Sequence, residues 1–260
     1  MKRKSIFVLT IFVLISMFVF SSCGEESLNE IIQKTSSLSS IDATMDIKMN
    51  MTVSGVSMEI PTTVELKAKD LNTDYPIMLM KSSVSAAGTN VEIDLYSENG
   101  WMYITTMGES YKVKADDLGD EYNYIDDINN TMVLIPDEMI NDVKPIKNDD
   151  GSKTYSFELP TDQFSELYKD LVNDINSSTG LNDVTVDFKN ASVEITTKDS
   201  YISVYMIKFD MNLSYQNETI ECSVENSLKF NKYGEEVVII PPEGYKDFED
   251  MPLQYHYVNF

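Results

Sequence analysis

Carboxylates are the most abundant reactive groups of this chain, 43 acidic residues against 20 basic ones, and three adjacent pairs stand out: Asp116-Asp117, Asp126-Asp127 and Asp149-Asp150. A paired-carboxylate glycosidase needs two such groups facing each other across a sugar. All three pairs fall in stretches that read as loops or helix ends, where solvated charge is the ordinary reading, and their spacing does not match an EF-hand calcium loop. The single histidine, His256, lies in the tail. A histidine metal cluster is therefore excluded, and a Ser-His-Asp triad would rest on that one residue. No Gly-x-Ser-x-Gly, Ser-x-x-Lys, P-loop or Gly-x-Gly-x-x-Gly pattern occurs. The chemistry points to a non-enzymatic protein with no cofactor and no metal site. Of the two cysteines, Cys222 alternates in phase with Ile220 and Val224, as a buried and inert thiol does.

The other cysteine, Cys23, follows a positive Lys2-Arg3-Lys4 segment and an apolar run from Ile6 to Phe20 broken only by Thr10 and Ser16. Such a run is a secretory signal rather than a membrane span. Phe20-Ser21-Ser22-Cys23 resembles a bacterial lipobox, with Phe20 in place of the usual aliphatic residue. The expected organisation is a signal peptide over 1–22, a lipidated Cys23 with a short tether over 23–30, and a single domain over 31–260. Two palmitate-class chains would anchor it stably, since one chain alone binds only marginally. The expected place is the outer side of the cell membrane, at a Gram-positive surface.

Loss of residues 1–22 takes the formal charge from −23 to −26, because that segment carries three basic residues and no acidic one. A surface so acidic repels nucleic acid and anionic headgroups, so no nucleic-acid partner is expected and the membrane is met through the anchor alone. Arg3 is the only arginine. The rest of the chain lacks the side chain that clamps phosphate in a bidentate fork, which weighs against nucleotide binding.

The element that must position any site is the stretch from Ala43 to Lys69. Met45, Ile47, Met49, Met51 and Val53 alternate with polar residues; after Ser54-Gly55, Val56, Met58, Ile60, Thr62, Val64, Leu66 and Ala68 do the same. This predicts two long strands, a tight turn and one methionine-rich face. Pro61 inside the second strand calls for an edge or a bulge. A short helix with Leu28, Ile31, Ile32 and Leu38 on one side precedes the pair. A meander follows, with Asn99-Gly100 as a type I′ turn signal. Asp116 to Asp142 is acidic, with a short helix beginning at Pro136. Thr161 to Ile175 predicts an amphipathic helix with Thr161 as N-cap. Three long strands end the fold, with a phase slip at Lys189-Asn190 that predicts a bulge. The aromatic tail after Pro241-Pro242 is expected to dock back on the sheet.

Together these features predict an α+β chain that is mainly antiparallel β. The lipidated N-terminus, the short helix, the sequential hairpins and the helical interruption, together with the Thr44 to Met51 alternation and the Tyr96 to Tyr103 segment, resemble the LolA/LolB-like lipoprotein superfamily, which includes the LppX and LprG type. The resemblance covers most of the chain after residue 22. It implies a strongly curved half-barrel with helices packed on its concave face, around a cavity that holds acyl chains in characterised members. The chain departs from LolA-type carriers in lacking an arginine for the lid network.

On that basis Met45, Met49, Met51, Met58, Phe209 and Met211 are the expected lining residues. Phe164, Leu167 and Leu171 on the Thr161 to Ile175 helix form the expected cover. Methionine adapts to varied apolar partners, yet the same stripe also suits a plain core. Two readings stay open: a monomeric lipoprotein that binds a lipid or lipidated ligand, and a packed structural or interaction module of the cell envelope with no cavity.

Overall fold

Among the described residues, four two-residue turns shape the chain into hairpins, at Ser54-Gly55, Asn99-Gly100, Met107-Gly108 and Asp199-Ser200, each with both residues at positive φ. That backbone matches the right-handed twist of the strands on either side. Gly100 is constrained twice over. Its φ is +75°, and a Cβ there would lie 3.3 Å from the Tyr75 ring.

The computed structural model of the protein describes residues 26–86, 88–118, 139–140, 143–162, 165, 185–215 and 218–252. Helix α1 spans Leu28–Ser36 and is followed by β1 (Ser40–Val53), β2 (Val56–Lys69), β3 (Ile77–Ala86), β4 (Thr89–Glu98), β5 (Trp101–Thr106) and β6 (Glu109–Lys114). The second half holds β7 (Ile146–Lys147), β8 (Lys153–Glu158), β9 (Thr185–Lys198), β10 (Tyr201–Tyr215), β11 (Glu218–Tyr233) and β12 (Glu249–Asp250). All twelve form one open, curved sheet in the order β12-β6-β5-β4-β3-β2-β1-β11-β10-β9-β8-β7. Pairing is antiparallel except where β12 runs parallel to β6. The strand β1 lies in the middle, bonded to β2 along one side and to β11 along the other.

Local expectations meet local causes. Pro61 opposes Lys48 of β1, while β3 pairs with β2 only from Thr62 onward. Proline therefore stands where β2 has lost its second neighbour and no ladder donor is missed. Asp210 pairs with Asn190 and Met211 with Phe188, so Lys189 is the extra residue of a bulge. Ser27 caps α1 in a reciprocal box with Glu30. Leu28, Ile31 and Ile32 of α1 are buried against the sheet, so folded structure begins inside the expected 23–30 tether.

Among the described residues, α1 is the one α-helix traced as a full element; the helices expected from Pro136 and from Thr161 lie mostly outside them, and one expectation, the Thr161 cap, changes. Thr161 is itself helical, and its hydroxyl donates to the Lys189 carbonyl at 3.1 Å, tying the helix start to the bulge instead of capping it.

A buried polar staple fixes α1. Thr35 Oγ1 accepts from the Ile202 amide at 3.1 Å and donates to the Ile31 carbonyl at 2.8 Å. Thr35→Val keeps the shape but strands a buried N–H, and should lower stability by about 1–3 kcal/mol in chemical denaturation.

Beside it the Tyr233 hydroxyl donates to the Ile202 carbonyl, and burial, then Tyr201, push its pKa up to about 12 from 10.0. The unfolded tyrosine loses its proton first. Stability from this group is therefore whole below pH 10 and is lost as pH rises towards about 12. In alkaline titration of the folding free energy, Tyr233→Phe should flatten that fall.

Candidate functional site: an apolar cavity at the centre of the sheet

Because side chains alternate, the registers place a continuous apolar row across the sheet. One such row reads Ser82, Val64, Met45, Leu228, Tyr205, Ile195 and Tyr155 from β3 to β8. The two flanks of this face are covered. On the β8–β11 side, Phe157, Val193, Ile195, Ile202 and Ile207 are buried with the apolar side of α1. On the β4–β6 side, Leu95, Met102 and Val113 are buried with Met251 of the tail.

Between the flanks most of the face is half-buried, and there it forms a partly open cavity of ≈ 440 Å³. The strand β1 supplies Ile41, Ala43, Met45 and Ile47 to its wall; β2 supplies Val64 and Leu66. Met78, Met80 and Ser82 of β3 and Leu95 of β4 close one side, and Tyr205, Asn226 and Leu228 of β10 and β11 the other. The volume lies within the range of about 300–1,000 Å³ usual for small-molecule sites. No charged residue contributes to the described wall. The buried Asn226 Oδ1 has no hydrogen-bond partner among the described residues.

The six methionine and phenylalanine candidates on the strands all belong to the cavity-bearing face, but the structure separates them. Met45 is in the cavity wall. Met49, Met51 and Met58 continue the face towards the β1–β2 turn, opposite or beside Val224, Cys222 and Ile60. Phe209 and Met211 pack against the larger core, Phe209 edge-on to Phe188 at 5.9 Å. Met58 is 38% exposed. Phe164, Leu167, Leu171 and Cys23 lie outside the described residues, as do Asp126, Asp127 and His256.

Leu66, Met78, Met80, Tyr205 and Asn226 belong to the wall without having been singled out from the sequence. The available signal was a polar residue standing in phase with apolar ones, Asn226 between Val224 and Leu228 and Ser82 between Met80 and Val84. Cys222 is buried as anticipated, and burial pushes its thiol pKa up, away from reactivity. Asp150 is held well below the ordinary carboxylate range by hydrogen bonds from Ser152 and by Lys198, in the β7–β8 turn and remote from the cavity face.

The reverse face carries the tail. The Tyr245 ring meets Tyr96 and Tyr103 edge-on at 5.0 and 4.8 Å, and its hydroxyl donates to Glu98 at 2.7 Å. Residues beyond it add β12 to the β6 edge, and the Met251 amide bonds to the Lys112 carbonyl at 2.9 Å. Met251 then turns onto the cavity face. Through this strap the tail covers a sheet edge and closes one flank of the site. At the other end of the chain, Glu26 bonds Ser200 in the β9–β10 turn, at the end of the sheet opposite the Ser54-Gly55 turn. No helix among the described residues is long and apolar enough to cross a membrane.

Solved structures similar to this chain include LprF from Mycobacterium bovis, at 12% identity over 84% of this chain and 95% of that one, with a TM-score of 0.41. A DUF1329 family protein from Desulfovibrio piger matches at 9% identity over 77% and 89%, TM-score 0.26. A putative outer membrane lipoprotein-sorting protein domain from Vibrio parahaemolyticus matches at 11% identity over 75% and 87%, TM-score 0.20. No curated protein matches the sequence. A family model matches residues 24–247, and the chain accordingly belongs to the family of unknown function DUF6612.

Proposed function

We propose that this protein is a membrane-anchored, non-enzymatic lipoprotein that binds a lipid-like ligand in the cavity of its curved sheet. The observation that carries the reading is the ≈ 440 Å³ cavity whose described wall has no charged residue, set between two covered flanks of an otherwise continuous apolar face. Burial of an acyl chain there would gain about 0.8 kcal/mol per methylene before ordering costs are subtracted. Met45, Met78 and Met80 suit such a ligand, because methionine rearranges at little cost. The helix that begins at Thr161, with Phe164, Leu167 and Leu171, is the proposed cover, and Met49, Met51 and Met58 the proposed extension of the bound chain's path, bordered by Phe209 and Met211 where these pack against the larger core.

Lipidated Cys23 is the proposed anchor. Since Glu26 is tied at the Ser200 end of the sheet, the Ser54-Gly55 and Met107-Gly108 turns would point away from the membrane. Cys23→Ser should shift the protein from the membrane fraction to the medium; retention of the variant on membranes would count against the anchor.

The deciding experiment uses residues 24–260, which include every described residue, purified without detergent. Native mass spectrometry should show a lipid-sized adduct that denaturation removes, and organic extraction should identify it. A bare polypeptide mass, unchanged after incubation with membrane lipids, would overturn the carrier reading and favour an interaction module.

A further inference from the structure

The cavity wall has a chemical signature beyond its apolarity. Every lysine on the strands that wall it stands on the reverse face: Lys48, Lys67, Lys69, Lys81, Lys208 and Lys229 alternate out of phase with the wall residues, and Lys232 pairs with Asp42 beyond the register shift at Asp42/Ala43. Three of them are held there by carboxylates: Lys67 by Asp42 at 3.7 Å, Lys81 by Asp94 at 3.9 Å and Lys208 by Glu225 at 3.0 Å. An anion entering the cavity therefore meets no cation among the described residues, within a protein whose net charge is −23. A charge taken out of water without a partner is strongly disfavoured.

Ser82, Tyr205 and Asn226 bring polar groups to the described wall, and Asn226 is its one amide. Asn226 stands between Ile47 of β1 and Ile207 of β10, and its Oδ1 is buried without a hydrogen-bond partner among the described residues. An amide needs both a donor and an acceptor from what lies against it. A hydroxyl supplies both in either orientation of the amide. An ester carbonyl or a carboxylate can only accept.

Resting on the lipid-binding reading above, we infer that the cavity selects a neutral acyl lipid with a free hydroxyl beside its chain, the chemistry of a monoacylglycerol or diacylglycerol, and rejects fatty-acid anions. Asn226 is the selecting residue. Its Oδ1 accepts a hydrogen bond from the hydroxyl while the chain lies along Met45, Met78 and Met80.

Calorimetric titration of residues 24–260 with monodecanoylglycerol, methyl decanoate and decanoate tests this, at a mildly alkaline pH where the carboxyl group is ionised. Monodecanoylglycerol should bind about three- to tenfold more tightly than the methyl ester, the value of one neutral hydrogen bond. Decanoate should bind at least about tenfold more weakly than monodecanoylglycerol, and should gain affinity on acidification as it becomes a neutral acid with a proton to donate. Asn226→Leu should bring monodecanoylglycerol and the methyl ester to equal affinity. That variant removes a buried unpaired oxygen and should fold at least as well as the parent, and the parent's own preferences decide the matter even without it. Equal parental affinity for monodecanoylglycerol and either of the other two would overturn the selection while lipid binding stands. Binding of none of the three would overturn both.

Discussion

Met45→Trp should abolish capture of a lipid-sized ligand, while Met211→Trp should damage the fold instead. Both residues are methionines on one face of one sheet, separated by six register positions across β1, β11 and β10. Met45 points into empty volume, and the larger indole would occupy space that a ligand would otherwise take. Its neighbours Val64 and Leu228 are half-buried and need not move. Met211 packs against the larger core, paired with Phe188, and is not part of the cavity wall. Overpacking there should cost about 1–3 kcal/mol. Native mass spectra and thermal midpoints of the two variants, taken together, separate the cases. If Met45→Trp retains its adduct, the ligand lies elsewhere; if it unfolds as Met211→Trp does, the centre of the face is packed core.

Tyr96→Ala should be the most destabilising of the changes considered, at about 3–5 kcal/mol, as for other buried aromatic truncations. Tyr96 is 1% exposed although it lies on the reverse, otherwise polar side of β4. What buries it is the tail, through the Tyr245 ring at 5.0 Å and the neighbouring Tyr103 at 5.9 Å. Burial, with Glu98 nearby, accordingly pushes the Tyr96 hydroxyl pKa far above its ordinary value. Without that ring the strap loses its seat. Met251 should then leave the β4–β6 flank, and the segment after Val237 should become a site of proteolysis. Limited digestion would show cleavage in that segment well below the melting temperature. Tyr245→Phe is the milder control, because it keeps the edge-on ring contacts and removes only the bond to Glu98. A Tyr96→Ala protein as protease-resistant as its parent would mean that the tail is held by β12 alone.

These two variants also mark where legibility in the sequence ends. The period-two alternation of Met45 to Val53 and Val56 to Ala68, the Asn99-Gly100 turn, the slip at Lys189 and the edge position of Pro61 are local facts. Each is decided by a residue's own backbone preference or by neighbours within a few positions, so the sequence by itself determined strands, turns and the identity of the apolar face. The docking of Tyr245 and Phe248 was legible for the same reason, since an aromatic-rich tail must find cover.

What only the tertiary structure decided is how that face is covered. β1 and β11 lie far apart in the chain and meet at the centre of the sheet, Met45 opposite Leu228. Alternation shows which side of a strand is apolar but carries no information about what packs over it. Met45, Met49 and Met51 are equivalent in pattern, and register with distant strands alone puts Met45 in the cavity wall and Met51 beside Cys222. Asn226 is legible as an interruption of the pattern, yet its buried oxygen acquires meaning only when β1, β3 and β10 surround it with apolar wall. Local sequence selects conformations residue by residue, whereas an unfilled volume is a property of many non-local neighbours at once.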